Sequence, residues 1–245
     1  MIRIIGGAAG AAAAAELGAL AVVVDALRSS ATVAAMLAAG ASEVLVCADP
    51  ETARGVAAEV GDALLAGEWR SSTPEGFDLG NSPVAAAEAD LSGRRVVFTS
   101  SNGAPMLVSC CGAGRILMGG ATNAEAVVLA ARAALAARTE VVIVPAGDMG
   151  GESEEDFASA VLLAEAIGPD IDPGQAEMLD RWRERLAGGL EALMRTCPHG
   201  LELAKLGFDS DLAAAATQNL YPVLPEVLGF RRRGGAAVAR VGIGA

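Results

Sequence analysis

The stretch Leu20-Ala21-Val22-Val23-Val24-Asp25-Ala26-Leu27-Arg28-Ser29-Ser30-Ala31-Thr32-Val33-Ala34-Ala35-Met36-Leu37 decides the fold. An unbroken apolar run ends on a carboxylate, and a polar turn with one arginine and two serines follows. An alanine-rich segment then carries Val33, Met36 and Leu37 on one helical face and stops before Gly40. The first part reads as a strand buried on both faces, the last as a helix with Gly40 at its C′ position. The alternation recurs to about Gly168. Strands are predicted at Ile2–Ile5, Leu20–Asp25, Glu43–Cys47, Ala63–Ala66, Arg95–Thr99, Arg115–Met118 and Glu140–Pro145. Helices are predicted at Ser30–Ala39, Pro50–Val60, Pro83–Ala89, Ala104–Cys111, Asn123–Ala137 and Ser153–Ile167. The pattern predicts an α/β fold, a three-layer α/β/α arrangement around a mainly parallel sheet.

Beyond Gly168 a turn from Pro169 to Pro173 leads into one long helical pattern, Gln175 to about Arg195. Met178, Leu179, Trp182, Leu186, Leu190 and Leu193 form its core-facing stripe. Helices over Leu201–Leu206 and Ser210–Asn219 follow, and short strands near Tyr221–Val227 and Ala236–Val241 are expected to close the fold. No linker forces a division, so residues 1–245 are expected to form a single domain, with lobes 1–168 and 169–245 as the alternative.

The 245 residues are 53% hydrophobic but only 3% aromatic, with a formal charge of −12 from 30 acidic and 18 basic side chains. That charge argues against nucleic-acid binding, which draws its free energy from Lys and Arg on phosphates. A small anionic substrate stays compatible, because arginines, helix N-termini and a divalent cation reverse the field locally. Arg231-Arg232-Arg233 is too short for a binding patch and reads as a solvated turn. Cys47, Cys110, Cys111 and Cys197 lack metal-ligand spacing, and reduced thiols in a cytoplasm are expected. No run of about 20 residues is apolar enough to span a bilayer, and the Ala11–Ala15 run, soon met by Glu16, does not read as a signal peptide.

Four segments set a polar or glycine-rich loop before a predicted helix, three of them directly after a strand. In open α/β sheets ligands bind outside the strands' carboxyl ends, where helix N-termini offer free N–H groups to a phosphate. In the first segment Asp25 is a candidate metal ligand and Arg28 a planar fork for an oxyanion. Ser29 or Ser30 would cap the helix while contacting phosphate; an ordinary cap beside a surface arginine is the plain alternative. The second is Gly67-Glu68-Trp69-Arg70, followed by Glu75-Gly76-Phe77-Asp78-Leu79-Gly80-Asn81-Ser82-Pro83. Pro83 suits a first helical position behind Ser82, while Asp78 and Asn81 supply hard oxygens for magnesium or else anchor the loop. The third, Thr99-Ser100-Ser101-Asn102-Gly103, makes a neutral oxyanion cradle or a simple cap. The fourth, Pro145-Ala146-Gly147-Asp148-Met149-Gly150-Gly151, runs into Glu152-Ser153-Glu154-Glu155-Asp156, whose acids suit the helix dipole.

Together these residues resemble the 2-phosphosulfolactate phosphatase family. The matching motifs are Asp25 to Thr32, Gly67-Glu68, Gly76-Phe77-Asp78-Leu79-Gly80-Asn81-Ser82-Pro83, Ser101-Asn102-Gly103, and Ala146-Gly147 with Glu155-Asp156. The likeness runs from about Ala19 to Ile167, with a weaker echo at Gly200, Leu203, Gly207, Asp211 and Pro225. It implies a magnesium-dependent hydrolase that releases phosphate from (2R)-2-phospho-3-sulfolactate to give 3-sulfolactate, a step towards coenzyme M. Family members usually carry arginine directly after the glutamate of Gly-Glu; here Trp69 stands there and Arg70 follows. Ser-Ser-Asn-Gly replaces a threonine-rich loop, and Ala104 replaces a common threonine. These departures touch substrate identity more than chemistry.

Several phosphatase chemistries are excluded from the residues alone. The lone His199 cannot furnish a histidine pair or several imidazole ligands and reads as a cap or surface residue. No cysteine is followed six residues later by arginine, and Leu27 stands where haloacid-dehalogenase-type phosphatases need a second acid. An oxygen-ligated Mg2+ held by Asp25, Glu68 and Asp78 is expected. Arg28, Ser101, Asn102 and helix N–H groups would stabilise the phosphoryl oxygens. The nucleophile is metal-bound water, or Asp25 itself through an acyl-phosphate. Asp25, Arg28 and Asn102 are the expected catalytic residues. Ser29, Ser30, Arg70, Asn81, Ser101, Gly103 and Gly147 are expected to bind a small anionic phosphoester, in a protein that acts alone or as a homo-oligomer. Hydrolysis of another small phosphoester, or non-catalytic anion binding, are the readings left open.

Overall fold

Buried strands and alanine-rich helices alternate in the computed structural model, which describes residues 1–148 and 150–244. The strands are β1 (Ile2–Ile4), β2 (Leu20–Val24), β3 (Glu43–Cys47), β4 (Ala63–Gly67), β5 (Arg95–Thr99), β6 (Arg115–Met118), β7 (Val141–Pro145), β8 (Pro225–Arg233) and β9 (Ala236–Ile243). The helices are α1 (Gly7–Glu16), α2 (Ser29–Ala38), α3 (Pro50–Val60), α4 (Pro83–Glu88), α5 (Gly103–Ser109), α6 (Ala124–Ala136) and α7 (Glu154–Ile167). They continue with α8 (Ala176–Arg185), α9 (Leu190–Thr196), α10 (Pro198–Lys205) and α11 (Asp209–Ala216). Local chemistry sets several starts. Pro50 and Pro83 occupy first turns, and Asp49, Ser82 and Ser153 accept from the backbone N–H groups of Thr52, Ala85 and Asp156.

Among the described residues the strands form one nine-stranded sheet in the order β1-β7-β2-β6-β8-β9-β3-β5-β4. Pairing is parallel within β1-β7-β2-β6 and within β3-β5-β4, so most of the sheet is parallel. The β8–β9 hairpin joins the two blocks, antiparallel to β6 on one side and to β3 on the other. Far from closing the fold at its end, the last two strands are central. They also make the blocks run in opposite directions. Neighbouring strands rotate by roughly 20–25°, so the five steps from β2 to β5 accumulate about 100–125°. A register shift between Val227 and Gly229 adds a local kink. The carboxyl ends of β2 and β5 therefore converge: Ser29 Oγ and Ser100 Oγ, one beyond each strand, lie 2.9 Å apart.

Side chains alternate across the sheet. Ala21, Val23, Val46, Phe98 and Ala239 pack on one face with Met36 of α2 and Leu107 of α5. On the opposite face Leu20, Val22 and Val24 meet α6 and α7, while Leu45 and Val97 meet Val56 of α3. These are the three layers.

One predicted helix divides, one helix was not predicted, and Arg231-Arg232-Arg233, read as a turn, lies in strand β8. The pattern from Gln175 to Arg195 breaks into α8 and α9 at Gly188-Gly189, where Gly189 has φ +87°. Its stripe is nonetheless core, with Trp182 stacked on Phe157 at 5.8 Å. Helix α1 forms over the alanine run, which offered good helix propensity but no polar–apolar contrast to reveal it. No helix among the described residues is long and apolar enough to cross a membrane. Cys47, Cys110 and Cys197 are buried free thiols, each pushed up to about 12 by burial, and Cys111 is exposed.

Candidate active site

Strand ends β2, β4 and β5, the loop after β7 and the first turn of α10 meet around a cleft of about 250 Å3. Asp25, Arg28, Glu68, Arg70, Asn81, Ser101, Asn102, Asp148, His199 and Glu202 contribute its polar wall. Of the residues expected from sequence, Asp25, Arg28, Glu68, Arg70, Asn81, Ser101 and Asn102 are thus brought together.

Asp25 is buried at the tip of β2. Its Oδ2 accepts from Ser29 Oγ at 2.6 Å and its Oδ1 from Ser29 N at 3.3 Å. Desolvation raises the Asp25 pKa above the usual aspartate value, and the Glu68 charge adds to that; Ser29 and His199 pull the other way. Gly103 belongs to this arrangement through close approach. A Cβ there would stand 2.2 Å from Asp25 Oδ2, so only glycine lets α5 begin against the carboxylate.

Arg28 is locked. Its Nη1 donates to Asp211 Oδ2 at 2.5 Å, its guanidinium lies 4.0 Å from the Phe208 ring centre, and Asp211 Oδ1 accepts from Ser82 Oγ at 2.7 Å. With side chains 3% and 1% exposed, this is a buried ion pair. Glu68 fastens two loops: Oε1 accepts from Ser101 N at 2.7 Å, while Oε2 accepts from Ser71 N at 2.9 Å and Ser101 Oγ at 3.1 Å. Trp69 and Ser72 exchange backbone hydrogen bonds around Arg70 (φ +53°) and Ser71 (φ +63°). That is a type I′ turn made without glycine, and it delivers Arg70 to the cleft.

A family model described as 2-phosphosulpholactate phosphatase matches residues 10–229. The chain belongs to the 2-phosphosulfolactate phosphatase family. Over 214 residues it is 38% identical to the probable 2-phosphosulfolactate phosphatase of Deinococcus radiodurans, covering 84% of this chain and 87% of that one. The protein of that name from Symbiobacterium thermophilum is 34% identical over 214 residues, covering 85% and 91%. That from Thermotoga petrophila is 29% identical over 208 residues, covering 85% and 88%. As a member of the 2-phosphosulfolactate phosphatase family the protein is a phosphoric monoester hydrolase.

Five of the residues expected in this phosphatase site lie outside the wall of the cleft. Asp78 is exposed outside the cleft, and its Oδ2 accepts from Leu65 N at 2.8 Å, pinning the loop along β4. Ser29 lies behind Asp25, while Ser30 Oγ accepts from Asp25 N at 3.0 Å; both support the carboxylate from outside the cleft wall. Gly103 likewise supports Asp25. Gly147 lines an adjoining cleft of about 560 Å3 that shares Ser101 and Asn102 with the first.

The sequence presents Glu155 and Asp156 as motif and helix-dipole residues and His199 as a cap or surface residue, without giving any of them a place in the 2-phosphosulfolactate phosphatase site. Asp156, in the first turn of α7, accepts from Ala26 N at 2.7 Å and Gly147 N at 3.0 Å, tying the loops after β2 and β7 together. Desolvation, with the charges of Asp25 and Glu155 added, pushes its carboxyl well above the usual range. His199 lines the cleft with Nδ1 3.0 Å from Glu155 Oε1. Desolvation lowers the pKa of His199, but the Glu155 hydrogen bond and charge outweigh it and raise the value overall. Glu155 is held below its usual value against its own desolvation by the same partner.

For a metal, no group of three or more His, Cys, Asp or Glu is placed to hold one among the described residues. The available set is two buried carboxylates, Asp25 and Glu68, and the amide of Asn81. Asn81 Nδ2 donates to Ser29 Oγ at 3.4 Å, and its buried Oδ1 has no hydrogen-bond partner. A buried carbonyl oxygen without a donor, in a wall with two carboxylates, fits a hard cation.

Proposed function

We propose that this enzyme hydrolyses (2R)-2-phospho-3-sulfolactate to 3-sulfolactate and phosphate with the help of Mg2+. The observation carrying this reading is a single cleft where a locked arginine, two buried carboxylates and an unpartnered amide oxygen converge from distant parts of the chain. Asp25, Glu68 and Asn81 would hold the ion. Mg2+ is commonly held by one or two carboxylates together with waters and substrate phosphate, so a three-carboxylate cage is not required. When bound it supplies positive charge to the phosphoryl oxygens. Its charge also suits the site: Asp25, Glu68, Asp148 and Glu202 line the cleft, Arg28 is already matched by Asp211, and Arg70 is the remaining arginine of the wall. An anionic ester entering that field needs a counter-cation.

Arg28, preorganised by Asp211 and Phe208, presents its remaining donors to the phosphoryl group. Ser101 and Asn102 line the same cleft, with both Ser101 donors held on Glu68, and the Arg28 donors need no rearrangement as charge develops. Water is the nucleophile, approaching phosphorus in line with the departing organic oxygen. Arg70, one place later than the family's usual arginine, lines the lip and faces the substrate's further acidic groups. That shift favours, as a second reading, another small phosphorylated hydroxy acid.

Phosphate release should be measured over a panel of phosphorylated hydroxy acids, with Mg2+ titrated and then chelated. The expected result is release that peaks on 2-phospho-3-sulfolactate, saturates with Mg2+ and vanishes with chelator. Asp25→Asn should lower turnover at least ~100-fold, about 2.7 kcal/mol of barrier, and abolish Mg2+ binding seen by calorimetry. Full activity in chelator would remove the ion, and preference for another ester would decide for the second reading.

A further inference from the structure

We infer that His199, oriented by Glu155, is the acid that protonates the departing organic oxygen of the phosphoester. The inference rests on the phosphatase reading of this cleft and adds a residue that the family motifs read from the sequence do not include. It begins with geometry. Glu155 sits in the first turn of α7 and is 2% exposed, a carboxylate buried almost completely. Its Oε1 is 3.0 Å from Nδ1 of His199, which stands in the first turn of α10. The buried carboxylate fixes the ring and holds a proton on Nδ1, leaving Nε2 as the nitrogen available to the cleft that His199 lines.

The surroundings favour the charged imidazole. Glu155 approaches from α7, Asp25 from the end of β2 and Asp148 from the loop after β7, while Glu202 lines the cleft from the same helix as His199. Against these stand Arg28, already paired with Asp211, and Arg70 at the lip of the same cleft. Glu155, Asp25 and Asp148 raise the imidazole pKa above its ordinary value despite desolvation.

The step balances as follows. Water oxygen adds to phosphorus while the bond from phosphorus to the organic oxygen breaks, its electron pair leaving on that oxygen. The proton on His199 Nε2 passes to the oxygen, giving the hydroxy acid. The proton lost by the attacking water returns to Nε2, leaving hydrogen phosphate. An alkoxide is a poor leaving group and needs this proton, whereas a nitrophenolate leaves without it.

The test compares an alkyl with an aryl monoester, 2-phospho-3-sulfolactate and 4-nitrophenyl phosphate, on wild type, His199→Gln and Glu155→Gln. General acids contribute 10²–10⁴-fold. His199→Gln should lose turnover in that range on the alkyl ester and far less on the aryl one. Glu155→Gln retains the imidazole but removes the charge, so the basic limb of its kcat/KM profile should move to lower pH. Thermal unfolding of each variant separates loss of fold from loss of the proton donor. Equal losses on both esters by folded His199→Gln, or an unmoved basic limb in Glu155→Gln, would overturn the assignment while leaving the phosphatase intact. A wild type inactive on both esters would overturn the phosphatase reading and the acid with it.

Discussion

At the scale of single residues the site depends on how closely backbone approaches carboxylate. A side chain at position 103 would collide with Asp25 Oδ2, which Ser29 already holds. Gly103→Ala must therefore displace either the first turn of α5 or the carboxylate. Misplacement by about 1 Å costs on the order of 10²-fold in rate, so kcat should fall by about that factor, with a stability loss of about 1–3 kcal/mol from the overpacking. Unchanged kcat would show that Asp25 tolerates displacement. The residues legible in sequence were those at strand ends, where topology alone aims a side chain at the crevice: Asp25, Arg28, Glu68 and Ser101. Asp78, Ser29 and Ser30 have suitable chemistry, but composition gives no direction: Asp78 and Ser30 bond to nearby backbone, and Ser29 is spent on Asp25, Ser100 and Asn81. His199 was unreadable as a functional residue because its partner Glu155 lies 44 positions earlier. A lone histidine acquires meaning only once α7 and α10 are seen to touch.

At the scale of elements, Arg28 and Asp211 tie the turn before α2 to α11, and Ser82 brings in the start of α4. This makes a loop of the active site answerable to a late helix. Removing one partner of a buried ion pair leaves an uncompensated charge and costs about 3–5 kcal/mol. Asp211→Ala should destabilise the protein by that amount in urea unfolding, and should also raise KM, since Arg28 loses its fixed direction. A cost below about 1 kcal/mol would mean the pair is as weak as an exposed one. Elements buried on both faces were the most readable: β3, β5, β6 and α3 match their predicted spans because continuous apolar runs and a proline start leave little choice. Helix α1 has no contrast to read, and Gly188-Gly189 interrupts a stripe whose periodicity resumes beyond it. The position of β8 and β9 was beyond local reading, because strand order is set by which edges remain unpaired.

At the scale of the whole molecule, two consequences follow, one electrostatic and one topological. Folded-state pKa values of Asp25, Asp156 and His199 are raised above their ordinary 3.8, 3.8 and 6.5. Each contributes stability that is present below the ordinary value and lost as pH rises through the folded one. Glu155, lowered from 4.5, works the other way, its contribution disappearing as pH falls through its folded value. His199 loses its contribution as pH rises above 6.5, whereas the Glu155 window lies below 4.5, so the metal-free protein should be less stable at pH 8.5 than at pH 6 at fixed ionic strength. A flat or rising profile in urea unfolding would contradict this. The topological consequence concerns cooperativity. The hairpin β8–β9 lies between the parallel blocks, hydrogen-bonded to β6 on one side and β3 on the other. A chain ending at residue 168 would keep both blocks but lose the two strands between them, exposing the facing edges of β6 and β3. Unpaired interior edges are aggregation-prone, and the shared core of α2 and α5 would lose Ala239 and Val241. The full chain should therefore unfold in one transition, with far-ultraviolet and near-ultraviolet signals coincident, and residues 1–168 alone should fail to give a soluble folded protein. A stable, monomeric 1–168 fragment would show that the chain divides into two lobes, with the hairpin an addition rather than the joint.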